Sequence, residues 1–498
     1  MNIKLFCGSI LLLIATVPGA FAAPVEPNSE ANEPTSLMAA LAQSDHSVIQ
    51  SNKSPTGDLI ARRKSKKKIN TGRRKKARTL TPQATPSSSV EQGQAVPLSE
   101  PNAPLAPIRG NDPLSAPVIP DSPRTNIAPP QSNKINWGAN VESYYSNWSD
   151  NFGNAGNQLV VPLTVTANAG NLDVGVRTAF INSNFDGVLL LDGQKIGTRK
   201  GSVSTLSDTS LSLAYTLKES SWPVRFNLDF NLPTGKATLV GNEKNAIMDG
   251  SLVQQTRFGE GFNIAPGVSV SHAFSQNDVV GAGVSYIIRG QFNPLGDVVN
   301  SAIDPGDEAV ATLQYQHTDQ NFFVGGGLIY TNYGTTKRNN QNYYRSGDRL
   351  DANLTGTYIP FEGNRVQLNA RYFTQSPNEV VNFFTGDFAK ESRNSNGNAL
   401  YLGLDWGIAT DKQQRGNVHF LADYLTVQAN SYDRINDLFN AGRAKYSFGV
   451  GYDYALSKNS SASVQAKYFQ STDKATPLTG QDIRSSGLNL YATVNFNF

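Results

Sequence analysis

Few residues in this chain of 498 are of types that do covalent or metal chemistry, and they are scattered. There are four histidines, His46, His272, His317 and His419, and none falls at metal-ligand spacing from the others or from a carboxylate. Hydrolytic catalysis needs a nucleophile and a base within hydrogen-bond reach. His419, which the alternation below turns inward, has no serine two residues on. The lone cysteine, Cys7, lies in the N-terminal leader, which leaves the mature chain without disulfides, thiolate ligands or a cysteine nucleophile. Leu232-Pro233-Thr234-Gly235-Lys236 is not a phosphate loop, because the leading glycine and the Ser/Thr after the lysine are missing. These residues argue against an enzyme and call for no cofactor and no metal.

The chemistry the chain does offer is charge and amide, set at every second position. Val224, Phe226, Leu228, Phe230 and Leu232 alternate with Arg225, Asn227, Asp229 and Asn231. Strict alternation over about ten residues is the pattern of a strand with lipid on one side and water on the other. The same test marks sixteen runs, at about 137–145, 158–167, 172–182, 208–218, 223–232, 260–274, 278–289, 309–317, 322–331, 348–358, 364–373, 398–409, 416–427, 444–456, 461–470 and 486–498. The runs 137–145 and 278–289 are the weakest, and without them the count is fourteen. Opposite the apolar positions stand Arg177, Arg225, Asp229, Arg289, Arg349, Asp351, Arg365, Arg371, Asp405, Asp423, Lys445, Asp453 and Lys467. They would line a lumen, each as well placed to brace the wall in an ion pair as to meet a solute. Both signs are present, so no strong ion preference follows. Asn227, Asn353, Gln367, Asn369, Gln465 and Asn489 would add a hydrogen-bonding lining for small polar solutes.

The elements that must position these residues follow from the connections, which alternate short and long. Asn168–Asn171, Glu219–Trp222, Ser275–Asn277, Thr318–Asn321, Ile359–Gly363, Thr410–Arg415 and Ser457–Ser460 are short; Ser183–Ser207, Pro233–Gly259 and Thr374–Gly397 are long. Tyr215, Tyr286, Tyr358, Tyr372, Trp406, Tyr452, Tyr454 and Tyr468 fall towards strand ends on the apolar face, where amphipathic rings meet headgroups. The fold class expected is all-β: a transmembrane antiparallel up-and-down barrel of about sixteen strands. Such a barrel is too wide for side chains to fill. The loop Pro233–Gly259, with Lys236, Glu243, Lys244 and Asp249, is the candidate constriction.

Before the barrel come two other segments. Residues 1–22 read as a signal peptide, with Lys4, the apolar run Leu5–Val17 and the Ala20-Phe21-Ala22 cleavage site. Residues 23–134 read as a disordered, proline-rich tail; a short helix over Ser36–Gln43 is its one ordered candidate. Its basic run, Arg62 to Arg78, gives the tail a net of +6, against +3 for the whole chain. With Lys4 counted in the leader, residues 135–498 carry −4, so the basic balance belongs to the tail. Behind a signal peptide no nucleic acid is expected as partner. Peptidoglycan or another anionic envelope polymer suits the run, and a solvated linker is the plainer alternative.

The last strand, Leu488, Leu490, Ala492, Val494, Phe496 and Phe498, ends on an aromatic carboxyl-terminal residue. It resembles the signal that outer-membrane barrels present to their assembly machinery, with Phe496 and Phe498 carrying it. Ser207-Asp208-Thr209-Ser210-Leu211, followed by a strand ending Leu232-Pro233-Thr234-Gly235, resembles the outer-membrane transporter family named after the phenol-degradation meta-pathway, over some thirty residues. The strand number is similar to that of the trimeric general porins, which implies a homotrimer and an inward-folded third loop, although the Pro-Glu-Phe-Gly-Gly stretch of those porins is absent. The function these resemblances imply is passive diffusion of ions or small polar solutes across an outer membrane, with outer-membrane lipid around the wall and both the tail and the C-terminus in the periplasm. An export or efflux conduit, or a wall-anchoring barrel whose tail docks a periplasmic partner, is the alternative.

Overall fold

The computed structural model describes residues 135–498, apart from 192–193, 219, 300, 382–385, 412–414, 435, 437 and 477–478, and the side chains of 189–191 and 194–196. The signal segment, the tail, the 36–43 helix and the basic run lie outside the described residues.

Sixteen antiparallel strands close a barrel. In chain order they are Asn136–Asp150, Ala155–Ala169, Leu172–Leu191, Thr209–Leu217, Val224–Leu232, Asn263–Ala273, Asp278–Arg289, Glu308–Thr318, Phe322–Tyr333, Arg349–Tyr358, Asn364–Gln375, Ala399–Ala409, Gly416–Val427, Arg443–Ser457, Ser460–Asp473 and Ile483–Asn497. Each pairs with the next, and the last with the first. Closure continues past the ladder, where the Phe498 N–H donates to the Trp137 carbonyl at 2.8 Å. All sixteen runs read from the alternation are strands, the two weakest included. One circuit of the register advances about 18 residues, which for sixteen strands is a tilt of about 40°.

The outward face is apolar and exposed, with Val141, Leu163, Val176, Phe226, Val284, Leu313, Leu328, Leu368 and Val450 among its residues. All eight aromatics expected at strand ends are exposed. The register shows that the outward tyrosines form a ring. Tyr286 is opposite Ala309, itself opposite Asn332, and Tyr330 sits two residues nearer the short-turn end. The same step leads from Tyr330 to Tyr372, Tyr424, Tyr468, Tyr145 and Phe180. With tilted strands, that offset keeps the rings at one height, as an interfacial girdle requires. The Tyr286 and Tyr330 hydroxyls donate to Asp307 and Asp348 just beyond the strands.

The expected loop Ser183–Ser207 is instead strand. Leu172–Leu191 continues past the girdle and pairs there with Gln194–Leu206, which runs in line with Thr209–Leu217 after a break at Ser207-Asp208. Its outward residues, Asn182, Asn184, Ser202 and Ser204, lie beyond the girdle and are polar, so the apolar alternation that reveals the other strands is absent from them. The long connections also build a small second sheet from Ile303–Asp304, Thr336–Arg338, Gln341–Arg345, Glu379–Val381 and Phe388–Lys390. Among the described residues no helix is long and apolar enough to cross a membrane.

Candidate functional site

The charges expected on the inner wall face inward, and most are paired there with partners on the same strand, the next or the next but one. Arg177 lies 3.5 Å from Glu142, and Arg225 lies 2.6 Å from Asp173. Arg289 bonds Glu308 at 2.7 Å and Glu260 at 3.0 Å. Asp351 is held between Arg349 at 2.9 Å and Arg371 at 2.6 Å, with the Arg349 guanidinium over the Phe373 ring. Lys467 pairs with Asp423, which also accepts from the Tyr401 hydroxyl. Asp405 is shared by Arg365 and His419, and the other ring nitrogen of His419 is 2.9 Å from Asp453. Thus His419 is a wall residue only 1 % exposed, with a carboxylate on each side. Asp229 is buried, and Lys445 donates to the Ser251 carbonyl at 2.6 Å while resting on the Phe469 ring. Pairs of this kind cost as much to desolvate as they return, and their value is to fix the wall's geometry. Among the described residues no group of three or more His, Cys, Asp and Glu is placed to hold a metal.

The lining that remains accessible includes amides. Asn353 is exposed, and Asn227, Asn369, Gln465 and Asn489 are partly so, whereas Gln367 is buried. Of the thirteen inward charges, Arg177, Arg365, Arg371, Asp423 and Lys445 are likewise partly exposed, and the other eight are buried.

The long loop after Val224–Leu232 folds inside the barrel. Its short 3-10 helix, Gly241–Ala246, lies against the hairpin Leu172–Leu206. Leu239, Ala246 and Phe258 pack on the inward side chains Val160, Ala179, Ile181 and Val203. Farther along, Met248, Leu252 and Val253 pack on Trp148 and Phe469. The loop therefore contacts the third, second, first, fifteenth and fourteenth strands. Polar bonds hold it between these clusters. Gln158 donates to the Gln255 carbonyl and accepts from the Gln255 N–H, both at 2.7 Å, and Ser183 donates to the Ala246 carbonyl. At the tip, Arg443 contacts Asp249 at 2.6 Å, Asp473 and the Ser251 hydroxyl. Burial alone would raise the Asp249 pKa; the Arg443 charge and hydrogen bonds from Arg443 and Ser251 outweigh it and hold the carboxyl below its ordinary value.

The wall is notched to receive this loop. A Cβ on Gly156 would strike the Met248 sulfur and the Trp148 indole, and one on Gly201 would strike the Asn245–Ala246 backbone. Of the four loop residues singled out from sequence, only Asp249 reaches the inner wall. Lys236 pairs with Glu243, and Lys244 pairs with Asp297 on the next long connection. The first pair is internal to the loop and the second ties it to the next connection, both away from the wall pairs.

The loop's neck is built from the two short stretches that carried the family resemblance. The Asp208 carboxylate accepts from the Gly235 N–H at 2.8 Å, the Glu260 N–H at 2.7 Å and the Asn231 amide at 2.7 Å. The Thr209 and Thr234 hydroxyls meet at 2.8 Å. Gly235 passes so close to Asp208 and Phe258 that a side chain would collide. Both ends of the loop are thus drawn to one carboxylate, and the spacing of these stretches in sequence gives no sign of it.

No protein-family model matches the chain, and no curated protein does. Similar solved structures include OccAB1 of Acinetobacter baumannii, at 10 % identity over 73 % of this chain and 97 % of that one with a TM-score of 0.36. A bacterial polysaccharide outer membrane secretin aligns at 8 % identity over 74 % and 99 %, with a TM-score of 0.38. The TodX deltaS2S3 mutant monoaromatic hydrocarbon channel aligns at 10 % over 74 % and 91 %, with a TM-score of 0.37. All three scores are below 0.5, and the barrel architecture rests on the strand pairing itself.

Proposed function

We propose that the chain is an outer-membrane channel for passive passage of small polar solutes, narrowed by the loop 233–259. The observation that carries it is the inversion of ordinary protein surfaces. Large aliphatic and aromatic side chains are exposed all round the outside, while carboxylates, guanidinia and amides face in. Such an exterior demands hydrocarbon, and a closed sheet satisfies every backbone group there without water. Both chain ends of the barrel lie at the short-turn rim, which in this reading is the periplasmic side, with the tail leading from it. The mutual pairing of the wall charges supports weak ion selectivity. The phenol meta-pathway transporter resemblance belongs to the same proposal; its support is that the two stretches carrying it converge on Asp208 to anchor the loop.

Planar-bilayer recording of the purified mature chain tests this. The expected outcome is discrete single-channel current with nearly equal cation and anion permeability. An absence of current from protein shown to be folded by its heat-dependent gel shift sinks the proposal.

A further inference from the structure

Below the loop, on the inner face of the barrel closure, a niche lined by two tyrosines lies beside the Arg177–Glu142 pair. Tyr144 on the first strand and Tyr491 on the last are directly opposite in the register, both inward and both half-buried, with ring centroids 4.8 Å apart and planes at 40°. Tyr144 packs on the loop-bearing apolar cluster, so the loop forms the niche's roof. Around the rings the inward side chains include amides and hydroxyls, with Asn140 donating to Thr493 at 3.0 Å and to Asn495, and Asn489 one step along the last strand; Val160 stands opposite Tyr144, and Lys467, opposite Asn489, is 9 % exposed and paired with Asp423. The nearest carboxylate, Glu142, is 4 % exposed, turned into the wall against Arg177 and accepting from the Tyr144 hydroxyl.

We propose that this niche is a binding subsite for uncharged polyhydroxylated solutes of saccharide type. The inference rests on the channel reading and narrows its solute class. A sugar ring presents an apolar C–H face and a rim of hydroxyls. Tilted tyrosine rings suit the first, and amides, which both donate and accept, suit the second. A carboxylate or ammonium solute would find no unpaired counter-charge here and would have to shed its hydration for neutral partners. A hydrocarbon would bury the amides without replacing their water.

The test is maltose added to the open channel in a planar bilayer, beside polyethylene glycol of matched hydrodynamic radius and gluconate at equal ionic strength. Maltose is expected to interrupt the current in a saturable way, and the size-matched polymer only in proportion to its concentration. Tyr144→Ala with Tyr491→Ala should weaken the maltose effect roughly tenfold, while Tyr144→Phe with Tyr491→Phe, which keeps the rings, should retain most of it. Maltose titration of intrinsic tryptophan fluorescence gives a readout without current, because Trp148 lies four residues from Tyr144 on the same face. Saturable fluorescence change lost in the alanine pair, in a barrel that passes no current, would keep the subsite and overturn the channel. Current that maltose affects no more than the polymer does, or equally in the alanine pair, overturns the subsite.

Discussion

The inside of the barrel has two halves built on opposite principles. From the third strand back to the fourteenth, the long-loop end of the wall is apolar or notched and is covered by the inward loop, which brings its own Leu239, Phe258, Met248, Leu252 and Val253. From the fifth strand to the thirteenth, and at the short-turn end of the fourteenth, the wall is bare of loop and carries charge in chains, such as Arg349–Asp351–Arg371 and Arg365–Asp405–His419–Asp453. The covered half gains from removing hydrocarbon from water, as a soluble core does. The bare half has no such gain available and holds its shape by pairing polar groups to one another. A wide barrel thereby obtains a firm lumen on both sides, with the passage between.

The two halves should part most widely at Arg443, the one guanidinium on which the covered half depends. Arg443→Met leaves the buried Asp249 and the partly exposed Asp473 facing each other without their shared guanidinium, at a cost of about 3–5 kcal/mol. The loop tip is expected to lift, making a Ser251→Cys thiol reactive to a membrane-impermeant maleimide and raising the conductance. On the bare half, Arg365→Met leaves Asp405 with His419, and the loop thiol should stay protected. Equal thiol exposure in both variants would mean that the halves are not mechanically distinct.

Next in size are the notches. Gly201→Val places a side chain where the Asn245–Ala246 backbone runs, and the overpacking is expected to cost about 1–3 kcal/mol. Gly356, on the outward face of the tenth strand in line with Leu354 and Tyr358, has nothing within 4 Å of the position a Cβ would take, so Gly356→Ala should leave the heat-dependent gel shift at the parent temperature. An unchanged gel shift for Gly201→Val as well would show that the loop does not need the notch. An effect of similar size is expected from Gln158→Leu, which deprives Gln255 of its two bonds at about 1–3 kcal/mol of loop seating while leaving the apolar clusters in place. Its readout is partial protection of the same thiol; full protection would remove Gln158 from the account.

The bare half is far more legible in the sequence than the covered one. Arg225, Asp351, Arg371, Asp405 and Asp453 announce themselves because a period of two against exposed apolar neighbours fixes which way each points, and strand partners are near in sequence. The covered half depends on contacts with no local signature. Gln158 meets Gln255 across 97 positions, Lys445 meets Ser251 across 194, and Gly156 is a notch only because Met248 arrives there. Hairpin residues 183–206 escape the pattern for a related reason: beyond the girdle the outward positions turn to Asn and Ser, and the alternation that depends on lipid disappears with the lipid. Pairing of the wall charges is legible only as one of two alternatives, since alternation gives a side chain's face and not its partner.

The smallest expected effect is that of mild acid, and its sign follows from Asp249. A carboxyl held below its ordinary value when folded contributes stability that is present above the unfolded value, about 3.9, and lost as pH falls through the depressed folded one. The latch on the covered half should therefore stay closed from neutral pH down to the ordinary carboxylate range and open only below it. Thiol reactivity of Ser251→Cys, followed with a methanethiosulfonate reagent and corrected for thiolate fraction, should be flat over that span. A rise near pH 6 would place the sensitive group elsewhere than Asp249, because a carboxyl held low by a buried guanidinium takes up no proton there.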